Sequence, residues 1–264
     1  MFYGASFLFN NISAEEYDLR ILNFDSGGNA SSPAGSDIAI YQKYAYRKSK
    51  PYLFGTSQNI PLEFDLTIGS GTPISGELRN LIEDWLLGKK EYLPLQIVQD
   101  DLETIIFNVL FTKSSVKYVG NLDYGFVLHA QCDAPWGFEY PKTLTKTYSG
   151  SAIVNETFTF YNDSADADYL YPSIVFTTSG TGTGLSIINN TDNSREFAFA
   201  GISAGETVTI DNDKQIISSS TGLLRMSKFN KKFFRLLPKS NSLTMVGGIT
   251  SFVMTYQFAK KVGA

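Results

Sequence analysis

The sequence predicts a mainly β protein of two β-sandwich domains, the first carrying a single flanking α-helix. Three observations predict it. Apolar and polar residues alternate with period two in several segments, one segment alone follows a helical stripe, and turn residues punctuate the second half at short intervals. The 20 Phe and 15 Tyr suit strands and contact surfaces.

In residues 62–68, Leu62, Phe64, Leu66 and Ile68 face one way and Glu63, Asp65 and Thr67 the other, the pattern of a half-buried antiparallel strand. Leu78, Leu81, Ile82, Trp85 and Leu86 then follow helical spacing and predict a helix over about residues 76–87. Ser75 supplies an N-cap, Glu77 sits in the first turn, and Gly88 ends the helix at the C′ position. Ile105, Phe107, Val109 and Phe111 mark a second alternating strand, and residues 126–132 a third that stops at Ala134-Pro135.

Residues 143–151 are rich in Thr, Ser and Lys, as a linker is, so the boundary falls near residues 135–150 and divides the chain into 1–140 and 141–264. Beyond it, Phe158 and Phe160, Val208 and Ile210, and Phe252, Met254, Tyr256 and Phe258 mark strands of the second domain. Turn signals at Asn162-Asp163-Ser164, Gly180-Thr181-Gly182, Asn189-Asn190 and Asp211-Asn212-Asp213 separate them. Residues 25–37, rich in Gly, Ser and Ala, read as a surface loop.

Composition narrows the function classes. A net charge of -4 argues against a dedicated nucleic-acid binder, which needs a strong basic field. One cysteine, Cys132, excludes an internal disulfide framework, and one histidine, His129, excludes a multi-histidine metal centre. The start of the chain lacks the basic region of a signal peptide, and no apolar run has the length of a membrane span. The expectation is a soluble product of a cytoplasm that does not engage a membrane.

No catalytic constellation emerges. His129 and Cys132, three apart on a strand, point to opposite faces, so the bland reading of a strand residue and a buried thiol prevails. Gly180, Gly182 and Gly184 lack the Lys and Ser/Thr of a phosphate loop and read as a loop tip. Asp163, Asp166 and Asp168 depart from calcium-loop spacing and read as a solvated acidic turn. Lys228, Lys231, Lys232 and Arg235 interleave with Phe229, Phe233 and Phe234, a mix used for single-stranded nucleic acid; a strand with one charged face explains it equally well. No acidic pair announces itself as a glycosidase site. The chain is therefore expected to be no enzyme, with no catalytic, cofactor-binding or metal residues.

Several segments together resemble the siphophage distal tail protein family. Phe7-Leu8-Phe9-Asn10-Asn11-Ile12-Ser13 with Glu16-Tyr17-Asp18-Leu19 is similar to that family's start. The 62–68 strand and the helix bearing Trp85-Leu86 also fit, as does Cys132-Asp133-Ala134-Pro135-Trp136. In the second half, Gly205-Glu206-Thr207-Val208-Thr209-Ile210-Asp211 looks like the family's Gly-Glu strand. Leu237-Pro238-Lys239-Ser240-Asn241-Ser242-Leu243 is similar to a Leu-x-Pro-Gly-x-Asn segment in which Lys239 stands where Gly is usual. Order and spacing cover nearly the whole chain, although no motif is specific alone.

The resemblance implies an N-terminal domain that forms a homo-hexameric ring continuing the tail tube, and a galectin-like C-terminal domain. It implies a virion protein of the tail tip or baseplate, joining the tail tube protein to a tail-associated hub or fibre protein. Receptor-binding proteins or host surface glycans would meet the outer domain, and DNA would only pass through the ring. For the ring contacts, residues 41–54 are the candidate: Tyr44, Tyr46, Tyr52 and Phe54 with Arg47, Lys48 and Lys50 show no burying period. Tyr and Arg are favoured hot-spot residues, while an ordinary long hairpin fits the composition as well. Two other classes stay open: a carbohydrate-binding host-recognition module and, with less support, a tail-associated cell-wall hydrolase.

Overall fold

The computed structural model describes residues 6–22, 39–46, 48–57, 61–99, 102, 104–149, 153–166, 168–180 and 184–261. The expected loop at 25–37 lies outside them. The chain is mainly β and divides into two units: the first runs to Glu139 and regains the chain at Lys260, and the second is Tyr140–Ala259.

The first unit holds β1 (Ser6–Phe9), β2 (Ile12–Ser13), β3 (Arg20–Ile21), β4 (Ala39–Lys43), β5 (Tyr52–Ser57), β6 (Glu63–Gly69), α1 (Gly76–Leu86), β7 (Leu93–Val98), β8 (Ile105–Val119), β9 (Leu122–Cys132) and β10 (Gly137–Glu139). An antiparallel sheet runs in the order β2-β1-β7-β8-β9-β6-β3, with β10 on the start of β8. Alternation sets what each strand buries: Phe64, Leu66 and Ile68 on β6, and Ile105, Phe107, Val109 and Phe111 on β8. Past Phe111, β8 is almost wholly exposed and pairs with β9, whose other side holds β6. Where β6 meets β9 the backbones approach closely, and a Cβ on Gly125 would lie 2.2 Å from the Ile68 carbonyl oxygen.

Helix α1 forms where its stripe predicts. The Ser75 hydroxyl accepts from the Leu78 amide at 3.2 Å, and Gly88 takes a left-handed φ of 69° just past the end. Ile82, Trp85 and Leu86 are buried. Trp85 organises this core: it stacks on Tyr17 at 4.8 Å and Phe7 at 5.8 Å, and its indole N–H donates to the Phe9 carbonyl.

The second unit holds β11 (Lys142–Thr147), β12 (Val154–Asn162), β13 (Ser173–Thr178), β14 (Gly184–Asn189), β15 (Arg195–Ala200), β16 (Thr207–Asp211), β17 (Ile216–Ser219) and β18 (Lys239–Tyr256). A last short strand, β19 (Ala259–Lys260), spans the boundary of the two units. The 18-residue β18 organises the second unit. Its first half pairs with β12 and β14, and β15 lies beyond β14; its second half pairs with β11 and β13, followed by β16 and β17. The change falls at Gly247-Gly248, where a Cβ on Gly247 would sit 2.5 Å from the Gly184 carbonyl oxygen. Phe176, Phe197, Phe199, Phe229, Phe234 and Phe252 fill the core.

Two sequence expectations change here. Most of the linker segment is β11, an edge strand registered on residues 251–256. Its three Thr face outward, and Leu144 packs on the core from a face it shares with Lys142 and Lys146, so composition hid a strand with little to bury. Residues 228–235 are not a regular strand with one charged face. Phe229 and Phe234 are buried, with Phe229 stacked on Phe199 at 4.7 Å, and the strand pairing hereabouts is limited to isolated bridges at Phe229 and Leu236. Its aromatics belong to the core and offer no stacking platform.

Candidate functional site

Among the described residues, the strands β4 and β5 pair only with each other. Ile40 faces Thr56, Tyr41 faces Gly55, Gln42 faces Leu53 and Lys43 faces Tyr52, with the register slipping at Tyr41/Gln42. Phe54 is the extra residue of that bulge, which twists the ribbon. A two-stranded hairpin by itself is marginal in water, because neither face is packed.

This ribbon is also the most apolar exposed feature of the first unit. Tyr46 is 88% exposed, Phe54 70%, Leu53 66%, Tyr44 62% and Ile40 61%. Tyr41 and Tyr52 are exposed too. Residues on both faces therefore meet solvent, which explains why the sequence shows no burying period. Monomeric surfaces rarely carry so continuous an apolar strip, and such strips mark sites of contact.

The charge around it has one sign. Between Asp37 and Glu63 stand Lys43, Arg47, Lys48 and Lys50 and no carboxylate. Lys48 donates to the Tyr52 hydroxyl and sits 5.1 Å from the centre of that ring, and its amide closes the turn on the Ala45 carbonyl at 3.0 Å. The structure thus brings Tyr44, Tyr46, Lys48, Lys50, Tyr52 and Phe54 into one hairpin and its tip; Arg47 lies outside the described residues. It adds Ile40, outside the 41–54 span, and draws in Tyr41 and Leu53, which lie within that span but were not singled out. Only the pairing of β4 with β5 shows that they share the uncovered ribbon.

The other sequence candidates separate. The Nδ1 of His129 lies 2.8 Å from Asp65 on the solvent face of β9 and β6, whereas Cys132 is buried on the other face. Burial pushes the Cys132 thiol up to about 12, so it is no nucleophile. In the acidic turn, the Asp166 carboxylate accepts from the Asp168 amide at 2.9 Å, the local bond of an Asx turn. Gly180 and Gly184 flank residues outside the described set.

The second unit concentrates polar groups in its interior. Glu206, fully buried, accepts from Arg225 through both oxygens and from Ser219 Oγ at 2.6 Å and the Ser203 amide at 3.3 Å. The Arg225 guanidinium, aided by Ser219, holds this carboxyl down to about 2 against the opposing effect of burial. Asn241, also fully buried, donates to the Leu237 carbonyl and accepts from the Leu237 amide and from Asn189 Nδ2. At the start of that turn Lys239 adopts φ 72°, so the left-handed turn forms with Lys in the place of Gly. Arg235 pairs with Asp192 at 2.8 and 3.1 Å and covers the face of Tyr169 at 3.9 Å. The guanidinium thus occupies one face of the Tyr169 ring.

Comparison with known proteins bears on this geometry. Residues 2–134 match the family described as a phage tail protein N-terminal domain, and residues 136–256 the family described as a phage tail C-terminal domain. No match was found among curated protein sequences. Among solved structures, the chain is similar to the Dit protein (gp 19.1) of phage SPP1, described as a paradigm of the hub adsorption apparatus in phages infecting Gram-positive bacteria. The TM-score is 0.68 at 14% identity, over 96% of this chain and 98% of that one. It is also similar to a chain of the phage p2 baseplate in its activated conformation with Sr, with a TM-score of 0.58 at 9% identity over 98% of each chain.

Proposed function

The chain belongs to a family of phage tail proteins, and from that premise we propose that it is the structural distal tail component, a ring of six copies at the tail tip. In this reading the first unit forms the ring, which continues the tail tube on one side and receives the tail-associated hub or fibre protein on the other. DNA passes through the opening without being read. The second unit faces outward, where receptor-binding proteins or host glycans are met. The role is architectural, and no residue is assigned to catalysis.

The observation that carries the reading is the uncovered β4–β5 hairpin. A ribbon with Tyr46 88% exposed and Phe54 70% exposed has no second layer among the described residues, and another chain would supply one. The contact is heterologous, hairpin of one copy onto a different surface of the next, and such contacts close on themselves in a ring. Tyr44, Tyr46, Tyr52 and Phe54 supply its apolar centre, and Lys48, Lys50 and Arg47 its polar rim. The test is the native mass of the purified chain with negative-stain imaging: six copies of 29.2 kDa give about 175 kDa and an annulus with an open centre. A monomer at high concentration, in the presence of the tail tube protein as well, would sink the reading.

A further inference from the structure

We propose that the loop between β17 and Phe229 in the second unit is a docking knob for a different tail protein whose surface is acidic around an apolar pocket. The proposal concerns the second unit alone and does not rest on how the ring closes.

The first observation is exposure without looseness. Leu224 is 90% exposed, Leu223 57% and Met226 43%, in a loop whose central residue, Arg225, points the other way and is buried. Arg225 is fixed there by two hydrogen bonds to the fully buried Glu206, which Ser219 and the Ser203 amide also engage. Four residues on, Phe229 is buried as well and stacked on Phe199. Gly222 turns the chain with φ 71°, its amide donating to the Ser219 carbonyl at 2.9 Å, and a 3-10 turn follows at Met226–Lys228. With Arg225 anchored inward, Leu224 and Met226 on either side of it stay outward. A buried ion pair is a costly way to build a loop, and its best attested use is to fix one geometry. Here the geometry it fixes is the presentation of an apolar tip.

The second observation is charge, and it names the partner's chemistry. Residues 214–264 contain nine Lys and Arg and no Asp or Glu, in a chain whose net charge is -4. Arg225 and Arg235 are taken up by Glu206 and Asp192. Lys228, Lys231 and Lys232 are exposed and form no ion pair among the described residues. Lys228 shares the 3-10 turn of Met226, and Lys231 and Lys232 follow within eight residues of Leu224, so the segment that carries the apolar tip also offers a partner three uncompensated cations. An apolar centre with a charged rim is the anatomy of a specific protein contact, and a rim of this sign selects a carboxylate-rich counterpart. A carboxylate-rich face elsewhere in the tail is thus the occupant.

The test places a photo-reactive benzoylphenylalanine at position 224 in phage particles assembled with this chain, irradiates the purified particles and maps the cross-linked peptides. The expected product joins residue 224 to a different tail protein within a segment rich in Asp and Glu. Its yield falls at least about tenfold when Lys228, Lys231 and Lys232 are all changed to Glu. Leu224→Asp lowers the copy number of that same protein in particles by a similar factor, while the purified variant melts as the parent does. A cross-link to another copy of this chain overturns the proposal. So does a cross-link to phospholipid, to no protein, or to an acidic protein whose yield ignores the three charge reversals. Co-flotation of the purified chain with vesicles of phosphatidylglycerol and phosphatidylcholine, lost in Leu224→Asp, would overturn it in favour of a membrane surface.

Discussion

In the first unit the exceptional residues are apolar and lie outside, on β4 and β5; in the second they are polar and lie inside, around Glu206 and Asn241. The two strands of the hairpin pair with each other and leave Tyr44, Tyr46, Leu53 and Phe54 in water. The interior network takes polar groups out of water and satisfies them from four directions. Among the described residues nothing completes the hairpin, whereas what completes the network is already present. In the proposed ring, substitutions in the two regions report on different events: assembly in the first, folding in the second.

The predictions test that division. The largest effect belongs to the true core of the first unit. Trp85→Ala removes the ring packed on Phe7, Phe9 and Tyr17 and is expected to cost about 3–5 kcal/mol in denaturant unfolding. A loss below about 1 kcal/mol would mean that this unit is held together from elsewhere.

Next comes Glu206→Gln, which strands the buried Arg225 guanidinium without its counter-charge and is expected to lower the melting temperature of the second unit by several degrees. The same carboxyl gives a pH signature. Its folded value, held near 2, lies below the ordinary carboxylate value of 4.5 it regains on unfolding. Its contribution is therefore fully present above that ordinary value and is lost as pH falls from about 4.5 toward about 2. Melting curves of wild type should fall through that window more steeply than those of Glu206→Gln, and parallel curves would contradict the assignment.

A smaller effect has the opposite sign. Lys239 occupies left-handed backbone at φ 72°, so Lys239→Gly is expected to stabilise the protein by about 1 kcal/mol in the same unfolding assay. Destabilisation would show that the Lys239 side chain, 5.9 Å from the Tyr161 ring, matters more than its backbone. Smallest is Glu83→Gln on the helix surface, where Arg79 also reaches Asp123; the loss should stay within about 0.5 kcal/mol.

Much of the fold was legible because one-sided burial writes itself into a strand. Leu62, Phe64, Leu66 and Ile68 alternate since β6 has one dry face, and α1 declares itself through Ser75, Gly88 and its apolar stripe. β11 was not legible, because an edge strand of Thr and Lys that packs only Leu144 carries almost no pattern. The hairpin residues stood out for the inverse reason: Tyr44, Tyr46, Tyr52 and Phe54 follow no burying period because they are exposed on both faces of the ribbon. The Glu206–Arg225 pair could not be read at all. Glu206 sat in a recognisable strand, but its partner nineteen residues on is chosen by the loop after β17, and sequence gives no register for that loop.

The central claim is that the hairpin drives self-assembly and does not hold the fold. The direct measurement compares native mass and melting temperature for the wild type and for Tyr44→Ser combined with Tyr46→Ser. The account predicts that the wild type assembles near 175 kDa, six copies of 29.2 kDa, and that the double variant runs as a monomer with a melting transition lowered by no more than loss of assembly explains. An intact ring of the double variant would contradict it, and so would a variant that fails to fold.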